Sequence, residues 1–245
     1  SKNQMTPELI EFVAWILTEC SSIAKTIIIP GNHDFLVNNT ERLDALTPII
    51  NSLNNPNIVY YRDRGVYEDD NVSWCVYSQY QGNIPPDITE AKGKRIGLFH
   101  GPIQGMKTDL GFDFGEEAYD VEKFDGLETV LCGDIHKRQV LCKSEPIIFY
   151  PGSLVQQNFG ESFEGHGYAI LDLTTTNEIK CEYFDIPNDY GYYTLDIDGG
   201  VLPDNLPITS KTNVRLRHRN TSPAELKRAL ATIRKLYKNS DVMVQ

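Results

Sequence analysis

Ile27-Ile28-Ile29-Pro30-Gly31-Asn32-His33-Asp34 is the stretch on which the fold turns. Three isoleucines led in by Thr26 form a β-branched run too short for a helix and stopped by Pro-Gly, which predicts a strand at 26–29. An all-apolar strand of this kind is expected in a sheet buried on both faces. The chain leaves it directly into Asn, His and Asp, side chains that bind metals, move protons or close a turn. Upstream, Thr6 and Pro7 open a helix whose Leu9, Ile10, Phe12, Val13, Ile16 and Leu17 fall at helical spacing, ending at Ser21-Ser22. A helix feeding a buried strand is the pattern of an α/β fold.

Downstream, a second helix is predicted from Glu41 to Leu53, capped by Thr40, with Leu43, Leu46, Ile49, Ile50 and Leu53 on one stripe. Strands follow at 58–60, 72–78 and 95–99. From Glu128 to Phe184 strands dominate, at 128–132, 139–141, 146–149, 168–173 and 179–184. Pro187-Asn188-Asp189-Tyr190-Gly191 reads as a linker. Beyond it come strands at 192–197 and 213–219, a helix capped by Ser222 with Pro223 in its first turn, and a last strand at 241–244. The expected organisation is a mixed α/β domain over 1–187 and a small α+β appendage over 188–245.

Two further segments repeat the architecture of the first. Ile96-Gly97-Leu98-Phe99 runs into His100-Gly101-Pro102, and Val130-Leu131-Cys132 runs into Gly133-Asp134-Ile135-His136. In an open α/β sheet the carboxyl ends of strands line one crevice, so polar groups just past several strands converge there. Oxygen and imidazole donors in a crevice suit Mn, Fe or Zn. Asp134 and His136, two apart, would point the same way on an extended segment, and Gly31, Gly101 and Gly133 would permit the tight turns that aim these side chains. Each segment also has a plainer reading, a hydrogen-bonded structural histidine or an Asx turn. Three of the five histidines sharing one structural context favours the site.

The 245 residues carry a net charge of -11, which argues against a nucleic-acid partner until its distribution is read. Residues 210–245 hold nine basic and two acidic residues, a local +7, leaving -18 on the remainder. In the strand Arg215-Leu216-Arg217-His218-Arg219 alternation puts the three arginines on one face, either solvated or contacting phosphate. The longest apolar run, Phe12 to Leu17, is far short of a membrane span, and no basic-apolar leader opens the chain, so a soluble, cytoplasmic protein is expected. Five cysteines without C-x-x-C spacing argue against a disulfide framework or structural zinc and for buried reduced thiols.

Gly31-Asn32-His33-Asp34, His100-Gly101 and Gly133-Asp134-Ile135-His136, in this order, resemble the third, fourth and fifth motifs of the calcineurin-like metallophosphoesterases. Within that superfamily, Tyr150-Pro151-Gly152-Ser153, Asn158-Phe159-Gly160-Glu161 and Gly165-His166-Gly167-Tyr168 resemble the SbcD-type DNA nuclease subunits. The resemblance implies a calcineurin-like β-sandwich flanked by helices, followed by the start of a small DNA-capping domain. It implies two divalent metals, manganese first with magnesium, iron or zinc as alternatives. Asn32, His100 and Asp134 would match ligands of one metal and His136 a ligand of the other. His33 would match the histidine that contacts the scissile phosphate. Ser153, His166, Arg215, Arg217 and Arg219 would be candidate DNA contacts.

The pattern departs from the family in two places. Asp134 stands where the family commonly has histidine, a harder, anionic ligand that would retune metal preference. The family's first two motifs, Asp-x-His and Gly-Asp, do not occur before Thr6, so about 50 residues are expected to be absent ahead of Ser1. The resemblance implies DNA, an SbcC-like coiled-coil ATPase and a second copy of the chain as partners, in a bacterial, phage or viral setting. Three functions follow: a DNA exonuclease and endonuclease in repair or recombination, a phosphatase or phosphodiesterase on small molecules or phosphoproteins, and a non-catalytic DNA-binding or scaffold subunit.

Overall fold

The structure, a computed structural model, describes residues 5–36, 38–39, 41–142, 145–174, 180–204, 206, 211–237 and 241–245. Thr40, Ile179 and Lys238, which the sequence reading assigns to a helix cap, a strand start and the basic tail, lie outside them. The chain divides into two compact units, residues 1–106 with 113–151, and residues 107–112 with 152–245. The division falls earlier than the domain boundary expected near 187. Residues 152–187 belong with the second unit, where the buried Gln156 side chain exchanges hydrogen bonds with the backbone of Tyr192.

The first unit is mixed α/β. Helix α1 (Pro7–Ile23) starts where Thr6 Oγ1 accepts from Leu9 N, with Pro7 where a missing N–H costs nothing. It leads into β1 (Thr26–Ile28). Helix α2 (Leu46–Leu53) begins five residues later than the stripe of apolar residues predicts. Two features set that start. Asp44 captures the N–H groups of Leu46 and Thr47 at 2.8 and 2.7 Å, and Pro48 is tolerated only within a first turn. Then come β2 (Ile58–Tyr60), β3 (Gly65–Asp69), β4 (Val72–Tyr77), β5 (Lys94–His100), β6 (Thr129–Gly133), β7 (Gln139–Val140) and β8 (Ile147–Tyr150).

Six strands make one sheet in the order β3-β4-β5-β6-β8-β7. The inner four are parallel and the edge strands β3 and β7 antiparallel. The carboxyl ends of the inner strands, Tyr77, His100, Gly133 and Tyr150, therefore share one edge. Side-chain alternation gives the sheet two apolar faces. One carries Cys75, Tyr77, Phe99, Val130, Cys132, Ile148 and Tyr150 against Ile103, Met106, Phe124 and Leu127. The other carries Val76, Leu98 and Leu131 against Ile27, Ile29 and Val59. The parallel pair β1–β2 thus packs on the second face as a thin outer layer, the sandwich expected. Its strands are half-buried for the most part, so β1 is not the doubly covered strand its composition predicts. No disulfide joins the five cysteines; Cys75 and Cys132 are buried and Cys20 is exposed.

In the second unit β9 (Gly167–Asp172) and β10 (Lys180–Asp185) pair antiparallel. Strands β11 (Tyr190–Asp198), β12 (Lys211–Arg219) and β13 (Val242–Val244) form a parallel sheet. Helix α3 (Pro223–Leu236) connects β12 to β13 and covers one face, packing Ala229 and Ile233 on Leu195, Ile197, Val214 and Leu216. β11 starts at Tyr190, inside the stretch read as a linker. Among the described residues no helix is long and apolar enough to cross a membrane.

Candidate functional site

Three of the predicted ligands meet. The amide of Asn32, on the loop after β1, donates from Nδ2 to Asp134 Oδ1 at 3.0 Å, which leaves its Oδ1 3.4 Å from His100 Nε2. His100 Nε2 and Asp134 Oδ1 are 3.5 Å apart. These residues, 68 and 102 positions apart in sequence, gather at the carboxyl ends of β1, β5 and β6. The crevice rule predicted the edge; the pairing of His100 with Gly133 across β5 and β6 supplies the proximity.

Two glycines hold the imidazole. A Cβ on Gly31 would stand 2.8 Å from His100 Cε1, and one on Gly133 2.6 Å from His100 Nδ1. Neither glycine has a positive φ, so each is required for space rather than for the turn the sequence reading assigned it. The backbone around the ring is tied from two sides: Gln79 Nε2 donates to the His100 carbonyl at 2.7 Å, and the buried Tyr150 hydroxyl to the Gly101 carbonyl at 2.7 Å. Neither group was visible as a site residue in the sequence. Tyr150 opens the Tyr150-Pro151-Gly152-Ser153 motif, whereas Gln79 carries no signal beyond following a strand.

Asp134 sits at φ 83°, in left-handed backbone that an aspartate enters only at a cost. The strand ends at Gly133, so the rule that residues two apart share a face does not carry Asp134 and His136 together. Burial opposes ionisation of Asp134, but the hydrogen bond and charge of His100, the Asn32 amide and the charge of His136 outweigh it, holding the carboxyl below the usual range. His136 is exposed, and so is His33, which stands outside the three converging groups.

The Asn32 loop is braced in turn. Asp34 N donates to the Gly31 carbonyl at 3.0 Å, Gly31 N to Asp34 Oδ2 at 2.8 Å, and Ala45 N to the Asp34 carbonyl at 2.8 Å. Beside Ala45, the fully buried Asp44 carboxylate also accepts from Thr47 Oγ1 at 2.6 Å and Arg62 Nε at 3.2 Å. The Arg62 guanidinium lies over the Tyr80 ring, which stacks on Phe35. Burial pushes Asp44 up, yet the hydrogen bonds from Thr47, Tyr80 and Leu46 win and its carboxyl titrates low.

The remaining candidates lie in the second unit. Ser162's carbonyl can only accept, so His166 Nε2 carries a proton at 2.7 Å from it, and Nδ1 shares a hydrogen bond with Ser153 Oγ at 2.9 Å. His166 is buried with both ring nitrogens engaged. Arg215 donates to Thr194 Oγ1 at 3.1 and 2.9 Å and lies over the Phe159 ring. Arg217 pairs with Asp196 at 2.9 Å. Parallel pairing of β11 and β12 sets Thr194, Asp196 and Asp198 beside Arg215, Arg217 and Arg219, so the arginine face is interleaved with acceptors.

The His100 imidazole nitrogen lies 3.4 Å from the Asn32 amide oxygen and 3.5 Å from the Asp134 carboxylate oxygen, while the amide nitrogen faces that carboxylate at 3.0 Å; the three side chains are donor types that suit a divalent cation. Among the described residues no group of three or more His, Cys, Asp or Glu is arranged to hold a metal; the cluster contains two such residues and an amide. A family model for the calcineurin-like phosphoesterase superfamily domain matches residues 11–176, and the chain belongs to that superfamily. It is also 34% identical over 248 residues to the uncharacterized protein R555 of Acanthamoeba polyphaga mimivirus, an alignment covering 96% of the chain and 18% of that relative's length.

Proposed function

We propose that the protein hydrolyses phosphodiester bonds in DNA, cutting duplex ends as an exonuclease and single strands as an endonuclease. The observation that carries the reading is the convergence of Asn32, His100 and Asp134 at the strand ends. The ordered motifs and the positive balance of residues 210–245 supply the preference for DNA. In this reading Asn32 Oδ1, His100 Nε2 and Asp134 Oδ1 hold one divalent cation and His136 contributes to a second, with manganese the first expectation. A pair of cations, when bound, would supply Lewis-acid polarisation of the phosphate and acidify water in the site. The chain's own residues do the rest. Asp134 contributes a negative charge, the glycine clamp fixes the His100 ring, and His33 gives its proton to the leaving oxygen. The same reading takes a homodimer working with an SbcC-like coiled-coil ATPase.

A phosphatase or phosphodiesterase acting on small molecules is the second reading. One observation favours it: Arg215 and Arg217 are engaged by their neighbours. Manganese-dependent release from labelled duplex DNA and from a nucleoside phosphate, measured side by side, separates the two. Release from DNA is expected. Turnover of the nucleoside phosphate alone overturns the nuclease, and DNA binding with turnover of neither leaves a scaffold subunit.

A further inference from the structure

The outer face of α3 carries a stripe of cations that the arginine strand does not. Lys227, Arg228, Arg234 and Lys235 are all exposed, and their spacing of one, seven and eight residues puts them on one side of the helix. Exposed Ala224 and Ala231 lie on the same side and leave it uncrowded. The one acidic residue of the helix, Glu225, is committed to its capping box, accepting from Ser222 N at 2.8 Å and Ser222 Oγ at 2.6 Å. Among the described residues none of the four cations lies within ion-pair distance of a carboxylate, whereas Arg217 does.

We infer that this stripe is a docking surface for the phosphate backbone of a nucleic acid. The choice of ligand rests on the proposed action on DNA, and charge complementarity carries it: four exposed cations on one helix side, none within ion-pair distance of a carboxylate among the described residues. Lys227 to Lys235 spans about 12 Å of helix. Over that length a duplex presents roughly seven phosphate charges, enough to engage all four cations. A lipid surface fits less well. The apolar side of α3, with Leu226, Ala229, Leu230 and Ile233, is spent on the β11–β12 sheet, so the helix has no face to insert into a bilayer.

The test is binding of a labelled duplex by fluorescence anisotropy across a salt series in the presence of a chelator, comparing the chain with K227Q/R228Q/R234Q/K235Q. Loss of at least tenfold in affinity, with a salt slope shallower by about 3.6, is expected at roughly 0.9 for each of four phosphate contacts. Glutamine preserves helix propensity, and the pairs K227Q/R228Q and R234Q/K235Q, each removing half the stripe, give the answer if the fourfold variant does not fold. Unchanged affinity and slope overturn the proposal. So does a stripe-dependent association with phosphatidylserine vesicles, or with a second copy of the chain, while duplex binding stays intact. Because the chelator removes the metal, binding is read apart from cleavage: a chain that binds through the stripe but releases nothing from labelled duplex DNA once manganese is supplied refutes only the nuclease reading.

Discussion

The imidazole of His100 lies between Gly31 and Gly133, with room on neither side for a methyl group. The histidine that the proposed reading makes a metal ligand is thereby held by the absence of side chains on its neighbours, and its aim depends on two residues that carry none.

Substituting Gly133→Ala should displace the ring with little cost to the fold, because Gly133 does not use positive-φ backbone. Manganese affinity, followed by titration calorimetry, is expected to fall about 10–100-fold, as for other residues that orient a ligand. The melting midpoint should move by only a few degrees, and Gly31→Ala should behave likewise.

His33→Ala should separate binding from chemistry. His33 is exposed and outside the converging groups, so metal content by elemental analysis is expected to match the wild-type chain. Cleavage should drop by about 10²–10⁴, the usual contribution of a positioned proton donor. A parallel loss of metal would make His33 a ligand instead.

Asp44 predicts a pH dependence of stability. Its folded pKa is lowered, so its contribution is complete above the unfolded value, 3.8, and is lost as pH falls through the lower folded value. Asp44→Asn should cost about 3 kcal/mol at pH 7 in urea unfolding, since Arg62 and two backbone donors lose a buried charge. The gap between variant and wild type should close on acidification below pH 3.8.

Ser222→Ala removes one half of the capping box of α3. About 1 kcal/mol should be lost from the second unit. The loss should show as an earlier unfolding midpoint by circular dichroism, with metal affinity unchanged.

Most of the fold was legible because its signals are local. β2 at 58–60, α1 with Thr6 and Pro7, and α3 with Ser222 and Pro223 each announce themselves within a few residues. β3 was not read, since Val66-Tyr67 is a short apolar pair followed by three polar residues that read as turn. The start of α2 was misplaced because an apolar stripe does not reveal that Asp44 caps from a buried position. The metal-type residues were found by motif and their shared edge by topology. What escaped is everything that depends on distant parts meeting: the glycine clamp, the Gln79 and Tyr150 ties, and the acceptors interleaved with the arginines of β12.

The two sides of the β11–β12 sheet differ in their electrostatics. Opposite charges alternate on its open side, and the helix on its other side presents four cations. The four cations on one side and the interleaved charges on the other give this layer a component of dipole moment perpendicular to the sheet. If α3 docks a nucleic acid as inferred above, the polyanion's field exerts a torque on this layer before any atom touches, turning α3 toward the approaching strand. Orientation then adds to attraction, and the encounter rate, more than the lifetime of the complex, is the quantity most sensitive to salt.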